Sequence, residues 1–253
     1  MKKITTIINY CTNDYMFLKP CIDAAKKVSH KVLVPYCTKF HDGTDQDTNL
    51  LAKSVNENCG VDFIEFDYNP HQSSRWHCNI SRKLGIQLAP EDTDYFMLLD
   101  TDEIIVPEEF NAWWAAEQSK LLVSYKLANY FYFRDFKYQC KDWQDSIALV
   151  QKGPYTEDPY ILHEHERSGV FDYVPYYQRA RNVTYNGKPF IHHYSWVRSK
   201  EAMLKKVSCW SHNQDQDWTS LVHKEFSEPF RGKDSIFGFE YNTVEPYLNI
   251  KIE

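Results

Sequence analysis

The chain has 253 residues, a formal net charge of −6 at pH 7, many aromatic residues and few glycines. This length is enough for one domain with a full hydrophobic core, and the negative charge argues against nucleic acid or an anionic membrane as a partner of the whole surface. The seven cysteines are scattered without a C-x-x-C pair, which indicates a reduced cytoplasmic protein rather than a disulfide-bonded or zinc-binding one. No segment reaches the roughly 20 apolar residues of a membrane-spanning helix, and the N-terminus is predicted to be a strand rather than a signal peptide.

The first part of the chain alternates predicted strands with predicted helices. Strands are predicted at 4–10, 31–37, 61–66 and 95–99, and helices at 15–28 and 74–88, with another helix after the polar segment 41–48. This alternation indicates right-handed βαβ units and an α/β fold with a mostly parallel sheet flanked by helices. Such sheets bind ligands at the carboxyl ends of their strands, where the loop around Asp42 and the acidic turn after residue 99 both fall.

Beyond residue 109 the pattern becomes irregular. A helix at 110–118 is followed by aromatic strand runs at 121–125 and 129–133, and then by a region at 152–177 that is predicted to be rich in loops and contains a repeated His-Glu pair. A hairpin at Asn186-Gly187, a strand at 190–196 and a helix at 199–210 come next. Since the sequence has no internal repeat and no linker, we expect a single domain over 1–253 with two parts, 1–110 and 111–253.

The acidic turn after the fourth strand is the most informative stretch. Asp100 and Asp102 follow a mostly apolar run and are separated by Thr101 alone, and Glu103 comes next. Two carboxylates this close repel each other unless a cation lies between them, and a divalent metal with oxygen ligands is the commonest solution. The alternative is a strand end whose acidic residues cap the helix that begins near Pro107.

Four motifs between residues 4 and 210 together resemble those of GT-A glycosyltransferases, close to family 2 and to family 92-like sequences. The motifs are Asp42-Gly43-Thr44-Asp45, then Arg75-Trp76-His77-Cys78-Asn79-Ile80, then Leu99-Asp100-Thr101-Asp102-Glu103, and last His165-Glu166 with Ile191-His192-His193-Tyr194-Ser195. The last pair resembles the H-E and H-Y-S elements of bacterial lipopolysaccharide-core glucosyltransferases. The resemblance implies a GT-A fold, which is Rossmann-like in its first half and has an irregular acceptor-binding C-terminal part.

The resemblance also implies an activity. It is that of a metal-dependent transferase that moves one sugar, with inversion, from a nucleotide-sugar to a hydroxyl of a glycan or glycoconjugate acceptor. A UDP-sugar is the favoured donor and a GDP-sugar the alternative. Residues 1–110 would bind the donor and residues 111–253 the acceptor. The Q-x-x-R-W element of processive synthases is absent from the sequence, which argues for a single addition.

A metal site is predicted at the acidic turn. Mn²⁺ or Mg²⁺ would neutralise the negative charge that develops on the leaving diphosphate. Asp102 is the first choice for a direct ligand, and Asp100 would reach the metal through water or hold the ribose, although the two roles may be exchanged. His193 is the candidate third ligand, which would favour Mn²⁺, or else a donor to the diphosphate. Since His192 lies on the opposite face of the strand, only one of the two histidines can face the site; the alternative is that both are ordinary core residues.

Glu166 is predicted to be the base that takes the proton from the acceptor hydroxyl, because His165-Glu166 matches the H-E element. Glu164 is a near-equal alternative, since His163-Glu164 repeats the same dipeptide. The alternative is that both carboxylates are solvated charges of a loop.

Nucleotide contacts are predicted for residues at the strand ends and on the helix at 74–88. They are Asn9, Tyr10, Asn13, Tyr36, Asp42, Arg75, Asn79, Arg82, Asp100 and Thr101. Either arginine could pair with phosphate through its planar guanidinium group, or simply cover the helix surface. The basic residues of the last predicted helix are further candidates for the diphosphate, with an exposed helix face as the alternative for at least two of them: Arg198, Lys200, Lys205 and Lys206.

Two other functions remain open from the sequence. The histidines at 163, 165, 192, 193 and 212 could form a metal-dependent hydrolase centre with Glu164 and Glu166, although no H-E-x-x-H helix is present. The aromatic content would suit a non-catalytic carbohydrate-binding protein, but such a protein would not need D-x-D at the end of a parallel strand.

Overall fold

The computed structural model describes residues 1–158 and 161–252, and of 161–165 the backbone alone. The strands are β1 (Ile4–Asn9), β2 (Lys31–Tyr36), β3 (Asp62–Glu65), β4 (Tyr95–Asp100), β5 (Glu103–Ile105), β6 (Ser124–Phe133), β7 (Asp135–Cys140), β8 (Gln144–Gln151), β9 (Arg179–Val183), β10 (Ile191–Trp196) and β11 (Tyr241–Thr243). The helices are α1 (Tyr15–Val28), α2 (Thr48–Glu57), α3 (Ser74–Gln87), α4 (Pro107–Glu117), α5 (Pro154–Glu157), α6 (Ile161–Asp172), α7 (Lys200–Cys209) and α8 (Trp218–Glu225).

The described strands form one curled sheet. Its main path runs β3-β2-β1-β4-β8-β6-β7-β11, while β9 pairs with β6 and β10 pairs with both β5 and β6. The four strands from β3 to β4 are parallel, and β8 then lies antiparallel to β4. The predicted α/β class, a parallel sheet flanked by helices with a more irregular second part, is confirmed.

The pairing of β1 with β4 builds the edge of the sheet that matters for the site. The two strands are parallel and in register, so that Asn9 lies opposite Asp100 where both strands end. Helix α3 packs closely on this pair: a Cβ atom on Gly85 would lie 2.6 Å from the side chain of Ile7. Any larger residue at this position would push α3, and with it Arg82, away from the strand ends.

Strand β10 closes the opposite side of the acidic turn. It pairs antiparallel with β5, which places His193 opposite Glu103, and the backbone N–H of Tyr194 donates to the carbonyl oxygen of Asp102 at 2.9 Å. The predicted strand at 190–196 therefore reaches the D-x-D turn directly.

The expectation of loops throughout 152–177 is wrong for α6. This helix bends at Glu166, whose backbone angles are φ 50° and ψ −146°. The polar His-Glu repeat favoured a loop in the prediction, although it belongs to a helix. The later turns of this helix pack in the core, where Val170 and Phe171 are buried and Arg167 is 9% exposed. The runs at 121–125 and 129–133 also differ from expectation, because residues 124 and 125 of the first run and the whole of the second belong to the single strand β6.

None of the helices in residues 1–158 and 161–252 is long and apolar enough to cross a membrane. All seven cysteines are free thiols, as their scattered positions predicted.

Candidate active site

A cavity of about 240 Å³ opens at the carboxyl ends of β1 and β4. This is the edge at which doubly wound sheets bind their ligands. Of the residues predicted from the sequence, those that line it are Asn9, Tyr10, Asn13, Arg82, Asp100, Asp102, Glu166, His193, Lys206 and His212; they are joined by Cys11, Asp14, Phe40, His41, Cys78, Arg167, Ser195, Cys209, Trp210 and Ser211.

Asp100 is held by two arginines. Its Oδ1 accepts a hydrogen bond from Nη2 of Arg82 at 2.6 Å, and its Oδ2 lies 3.2 Å from Nη2 of Arg167. Burial alone would raise the pKa of the Asp100 carboxyl, but the charges of Arg167 and Arg82 outweigh it and hold that pKa well below its usual value. Asp100 is therefore a carboxylate at every pH at which the protein is expected to work.

Asp102 is held by two further cations. Its Oδ2 accepts from Nζ of Lys206 at 2.7 Å and from Nη2 of Arg198 at 3.1 Å, and its Oδ1 lies 3.6 Å from Nε2 of His193. The side chain of Asp102 is only 3% exposed. Burial raises its pKa, but Lys206, His193 and Arg198 reverse this effect, so the pKa of Asp102 is lowered.

Glu103 stabilises the turn that contains Asp100 and Asp102. Its carboxylate accepts from both terminal nitrogens of Arg167 at 2.5 and 2.6 Å, and its Oε2 also accepts the backbone N–H of Asp100 at 2.8 Å. Because Glu103 is fully buried, this bidentate pair is a structural element of the turn. We call these seven residues the inner charged cluster: Arg82, Asp100, Asp102, Glu103, Arg167, Arg198 and Lys206.

The inner charged cluster bears on the predicted metal site. Protein cations relieve the repulsion between Asp100 and Asp102 that led to the metal prediction. Carboxylate and imidazole are suitable ligand types for Mg²⁺ or Mn²⁺. However, no three His, Cys, Asp or Glu side chains within the described part of the chain are grouped so that they could hold a metal ion. As they are placed, the residues do not fit a metal centre, and the metal role of Asp100, Asp102 and His193 stays a prediction.

The two neighbouring histidines have different surroundings. His193 lines the cavity, and its Nδ1 has no hydrogen-bond partner among the described residues. His192 points into the core, where its Nδ1 shares a hydrogen bond of 2.8 Å with the hydroxyl of Tyr132 and its ring stacks on Tyr247. Burial lowers the pKa of His192 to about 3. His193 is thus the histidine that faces the site.

Glu166 lies at the mouth of the cavity on the bend of α6. Its side chain is 21% exposed, and its Oε1 is buried without a hydrogen-bond partner among the described residues. Among the described residues, Nε2 of His212 lies 3.6 Å and Nε of Arg75 lies 3.7 Å from this Oε1. The side chain of Glu164, the other predicted base, lies outside the described residues.

His212 and Arg75 are both bound to Asp215. Nδ1 of His212 lies 2.8 Å from Oδ2 of Asp215, and Nη2 of Arg75 lies 3.8 Å from its Oδ1. We call Arg75, Glu166, His212 and Asp215 the outer charged cluster. From the sequence, His212 was a candidate in the hydrolase alternative alone and Asp215 had no role, because nothing in the spacing connects residues 212–215 with residue 166.

Five predicted nucleotide contacts do not line the cavity, and one of them, Arg75, belongs to the outer charged cluster. The hydroxyl of Tyr36 donates to a carboxylate of β3, and Asp42 accepts from the backbone of its own loop. Thr101 is fully buried and donates its hydroxyl hydrogen to the carbonyl oxygen of Asn9 at 2.7 Å, and Asn79 is 1% exposed. Thr101 thereby joins the two strand ends on which the cavity is built.

The basic residues of the last predicted helix also separate into two kinds. Arg198 and Lys206 point at Asp102, with side chains 1% and 11% exposed, whereas Lys205 is on the solvent face of α7. Lys200, at the start of α7, is half-buried and does not line the cavity.

No protein family and no curated protein matches this chain. Among solved structures, the chain is similar to S. aureus TarS in complex with UDP-GlcNAc (10% identity, covering 89% of this chain and 73% of that chain, TM-score 0.45). It is similar to the mannosyltransferase PcManGT from Pyrobaculum calidifontis in complex with GDP-Man and Mn²⁺ (8% identity, covering 82% of this chain and 61% of that chain, TM-score 0.47). It is also similar to 4-diphosphocytidyl-2C-methyl-D-erythritol synthase from Anaerococcus prevotii (11% identity, covering 76% of this chain and 87% of that chain, TM-score 0.46). Glycosyltransferase structures are thus among its neighbours in fold, but similarities of this size carry no argument about its activity.

Proposed function

We propose that this chain is a glycosyltransferase that moves one sugar from a nucleotide-sugar to a hydroxyl of a glycan or glycoconjugate acceptor, with inversion at the anomeric carbon. One observation carries the proposal: cationic side chains line a cavity at the carboxyl ends of β1 and β4 together with Glu166, whose Oε1 has no hydrogen-bond partner among the described residues. The motif resemblance favours a UDP-sugar as donor and leaves a GDP-sugar as the alternative.

The proposed reaction is a single displacement. Glu166 takes the proton of the acceptor hydroxyl, the acceptor oxygen forms a bond with the anomeric carbon, and the bond from that carbon to the diphosphate breaks. The diphosphate leaves with the electron pair. Lys206 and Arg82 are the cations on the cavity wall that would stabilise its charge.

Both parts of the chain contribute to this reaction. Residues 1–110 supply Asn9, Arg82 and Asp100 to the cavity, and residues 111–253 supply Glu166 and Lys206. We therefore propose a single catalytic domain in which the first part binds the donor and the second part binds the acceptor.

Metal dependence is a separate question. A divalent ion that bound Asp102 would compete with the ammonium group of Lys206, which is 2.7 Å from the same carboxylate. Dependence of transfer on Mn²⁺ or Mg²⁺ therefore stays a prediction from the sequence, to be measured by adding and chelating the metal.

The hydrolase alternative has less support than the transferase. Its centre required several clustered histidines, but His192 is buried against Tyr132 and Tyr247, and the side chains of His163 and His165 lie outside the described residues. A carbohydrate-binding protein without activity remains an outcome of the test below.

A thermal-shift panel of UDP- and GDP-sugars, with Mn²⁺ and with EDTA, tests the proposal. A cognate donor at about 100 times its Kd stabilises the native state by about 2.7 kcal/mol. We expect one donor class to raise Tm and then to release nucleoside diphosphate when acceptor glycans are added. A protein that binds glycans but no nucleotide-sugar, or that hydrolyses substrates without preference for one, would contradict the proposal.

A further inference from the structure

We propose that His212, held by Asp215, receives the proton that Glu166 takes from the acceptor hydroxyl and passes it to solvent. This inference rests on the proposed transfer reaction and adds a proton route to it. It would make His212 a positioning and proton-relay residue, since it acts through Glu166 rather than on the substrate.

The hydrogen bonding of His212 fixes how its ring is protonated. Nδ1 lies 2.8 Å from a carboxylate oxygen of Asp215. Because an ionised carboxylate only accepts hydrogen bonds, Nδ1 carries a proton. In the neutral ring, Nε2 then presents a lone pair, and this nitrogen lies 3.6 Å from Oε1 of Glu166. If these two atoms move slightly closer together, they form a hydrogen bond along which a proton can pass from Glu166 to His212.

Glu166 is held in an unusual backbone conformation. Its φ of 50° and ψ of −146° belong to a region that residues with a side chain rarely adopt. The next residue, Arg167, is fixed by its bidentate pair with Glu103, and the following turn of α6 is buried at Val170. These neighbours hold the strained residue in place. Such strain is typical of functional positions, and here it places the Glu166 carboxylate on the cavity wall, with its Oε1 3.6 Å from Nε2 of His212.

Charged groups surround the pair of Glu166 and His212. Glu166 faces Arg75 and His212, and it interacts electrostatically with the buried guanidinium groups of Arg82 and Arg167. His212 faces Asp215 on one side and Glu166 on the other. The Asp215 carboxylate is therefore in place to hold the ring of His212 by a charge-assisted hydrogen bond while the ring carries the proton.

The atoms balance over one turnover. The acceptor O–H bond breaks, its electron pair forms the new bond to the anomeric carbon, and its proton goes to Oε1 of Glu166. The diphosphate leaves with the electron pair of the bond it loses. Glu166 then gives the proton to Nε2 of His212, whose side chain is 39% exposed and releases it to water. Both side chains return to their starting state.

Backbone hydrogen bonds hold the loop around His212 in addition to the contacts of its side chain. The backbone carbonyl oxygen of His212 accepts from Nε1 of Trp218 at 2.7 Å and from the N–H of Asp215 at 3.0 Å. Substitution of the imidazole should therefore leave the fold intact, and Tm verifies this for each variant.

The test compares His212→Gln and His212→Ala with wild type in the transfer assay, using the donor from the thermal-shift panel. We expect kcat to fall about 10²-fold, with little change in the KM for the donor. Imidazole added to His212→Ala should restore the rate in a saturable manner, and Asp215→Asn should give a smaller loss with a changed pH profile of kcat. The matched control is His223→Gln, because His223 is exposed on α8 and does not line the cavity.

The results separate this inference from the proposed function. If His212→Gln transfers sugar with wild-type kcat and pH profile, or if folded His212→Ala is inactive and imidazole does not rescue it, the proton route is wrong while the transferase stands. If wild type binds no nucleotide-sugar and transfers no sugar, the proposed function fails and the proton route with it.

Discussion

The inner and the outer charged clusters both contribute residues to the cavity wall but differ in how completely their charged groups are paired. In the inner cluster the pairs of Asp100, Asp102 and Glu103 have contacts of 2.5 to 3.2 Å. In the outer cluster both contacts of Glu166 are 3.6 Å or longer, and its side chain is partly exposed. Completely paired buried charges fix a structure, whereas an incompletely paired carboxylate keeps the capacity to take up a proton.

The energetics of the two clusters should differ accordingly. Removing one partner of a buried ion pair leaves an uncompensated charge and typically costs about 3–5 kcal/mol. Removing a partly exposed charge costs little stability. Substitutions in the inner cluster should therefore act on folding, and at Lys206, which also lines the cavity, on donor binding as well, whereas those in the outer cluster should act on catalysis.

Arg167→Met should give the largest loss of stability. It leaves Glu103 and Asp100 without their shared guanidinium group in a buried place, and we expect the free energy of unfolding to fall by about 3–5 kcal/mol. Urea unfolding followed by circular dichroism measures this. A decrease in the free energy of unfolding below about 1 kcal/mol would show that the inner cluster contributes little to the stability of the fold.

Glu166→Gln should give the largest loss of activity. The amide keeps the size of the side chain but cannot take the proton, so transfer should fall about 10²–10⁴-fold while donor binding and Tm stay near wild type. Glu157→Gln, on exposed α5, is the matched control. Wild-type transfer by Glu166→Gln would exclude this residue as the base, and Glu164→Gln would be the next variant to assay.

Lys206→Met should weaken binding of UDP or GDP by about tenfold or more, because a hydrogen bond from a cation is worth about 1.5–3 kcal/mol. Isothermal titration calorimetry measures the Kd, once with Mn²⁺ and once with EDTA. Lys200→Met, on the same helix but off the cavity wall, is the control. Unchanged affinity would remove Lys206 from the diphosphate site.

The inner cluster should contribute little to the pH dependence of stability near neutrality, because the pKa values of Asp100 and Asp102 are lowered. His77 should contribute instead. Its Nε2 accepts the N–H of Asn69 at 3.1 Å, its Nδ1 donates to a backbone carbonyl, and burial lowers its pKa from 6.5. Below about pH 6.5 the unfolded chain therefore binds a proton that the folded chain resists, so the free energy of unfolding falls as pH decreases.

The corresponding measurement is urea unfolding of wild type and His77→Asn between pH 7.5 and 5.5. The wild type should lose up to about 1.4 kcal/mol per pH unit more than the variant. Equal pH slopes would place the titrating groups elsewhere.

The smallest effect is expected at the surface. Lys141 and Glu240 form an ion pair of 2.7 Å, but both side chains are about half exposed. Lys141→Met should leave the free energy of unfolding close to that of the wild type. A loss as large as that of Arg167→Met would remove the contrast between buried and exposed pairs.

Sequence patterns predicted the parts of this fold that depend on local signals. The helix α1 has the predicted bounds, and Asp100, Asn9 and Arg82 share a cavity because parallel strands end at one edge of the sheet. The apolar run 147–150 was an available signal for β8, but it was not interpreted as a strand.

The pairing of charges depends on contacts that are distant in sequence. Asp102 meets Arg198 and Lys206 across 96 and 104 residues, and no local pattern connects them. The sequence therefore showed that Asp102 needs a cation but not which cation it has. Because His212 and Glu166 are also far apart in sequence, no local pattern predicted that they lie close together.

The most direct test of the central claim is ¹H NMR of the sugar released when wild type hydrolyses the nucleotide-sugar that stabilises it most. Water replaces the acceptor in this slow reaction, so that no acceptor needs to be known. We predict nucleoside diphosphate together with a sugar of inverted anomeric configuration, and a rate that falls about 10²-fold or more in Glu166→Gln. Release with retained configuration, or at the same rate in both proteins, would contradict the proposed displacement at Glu166.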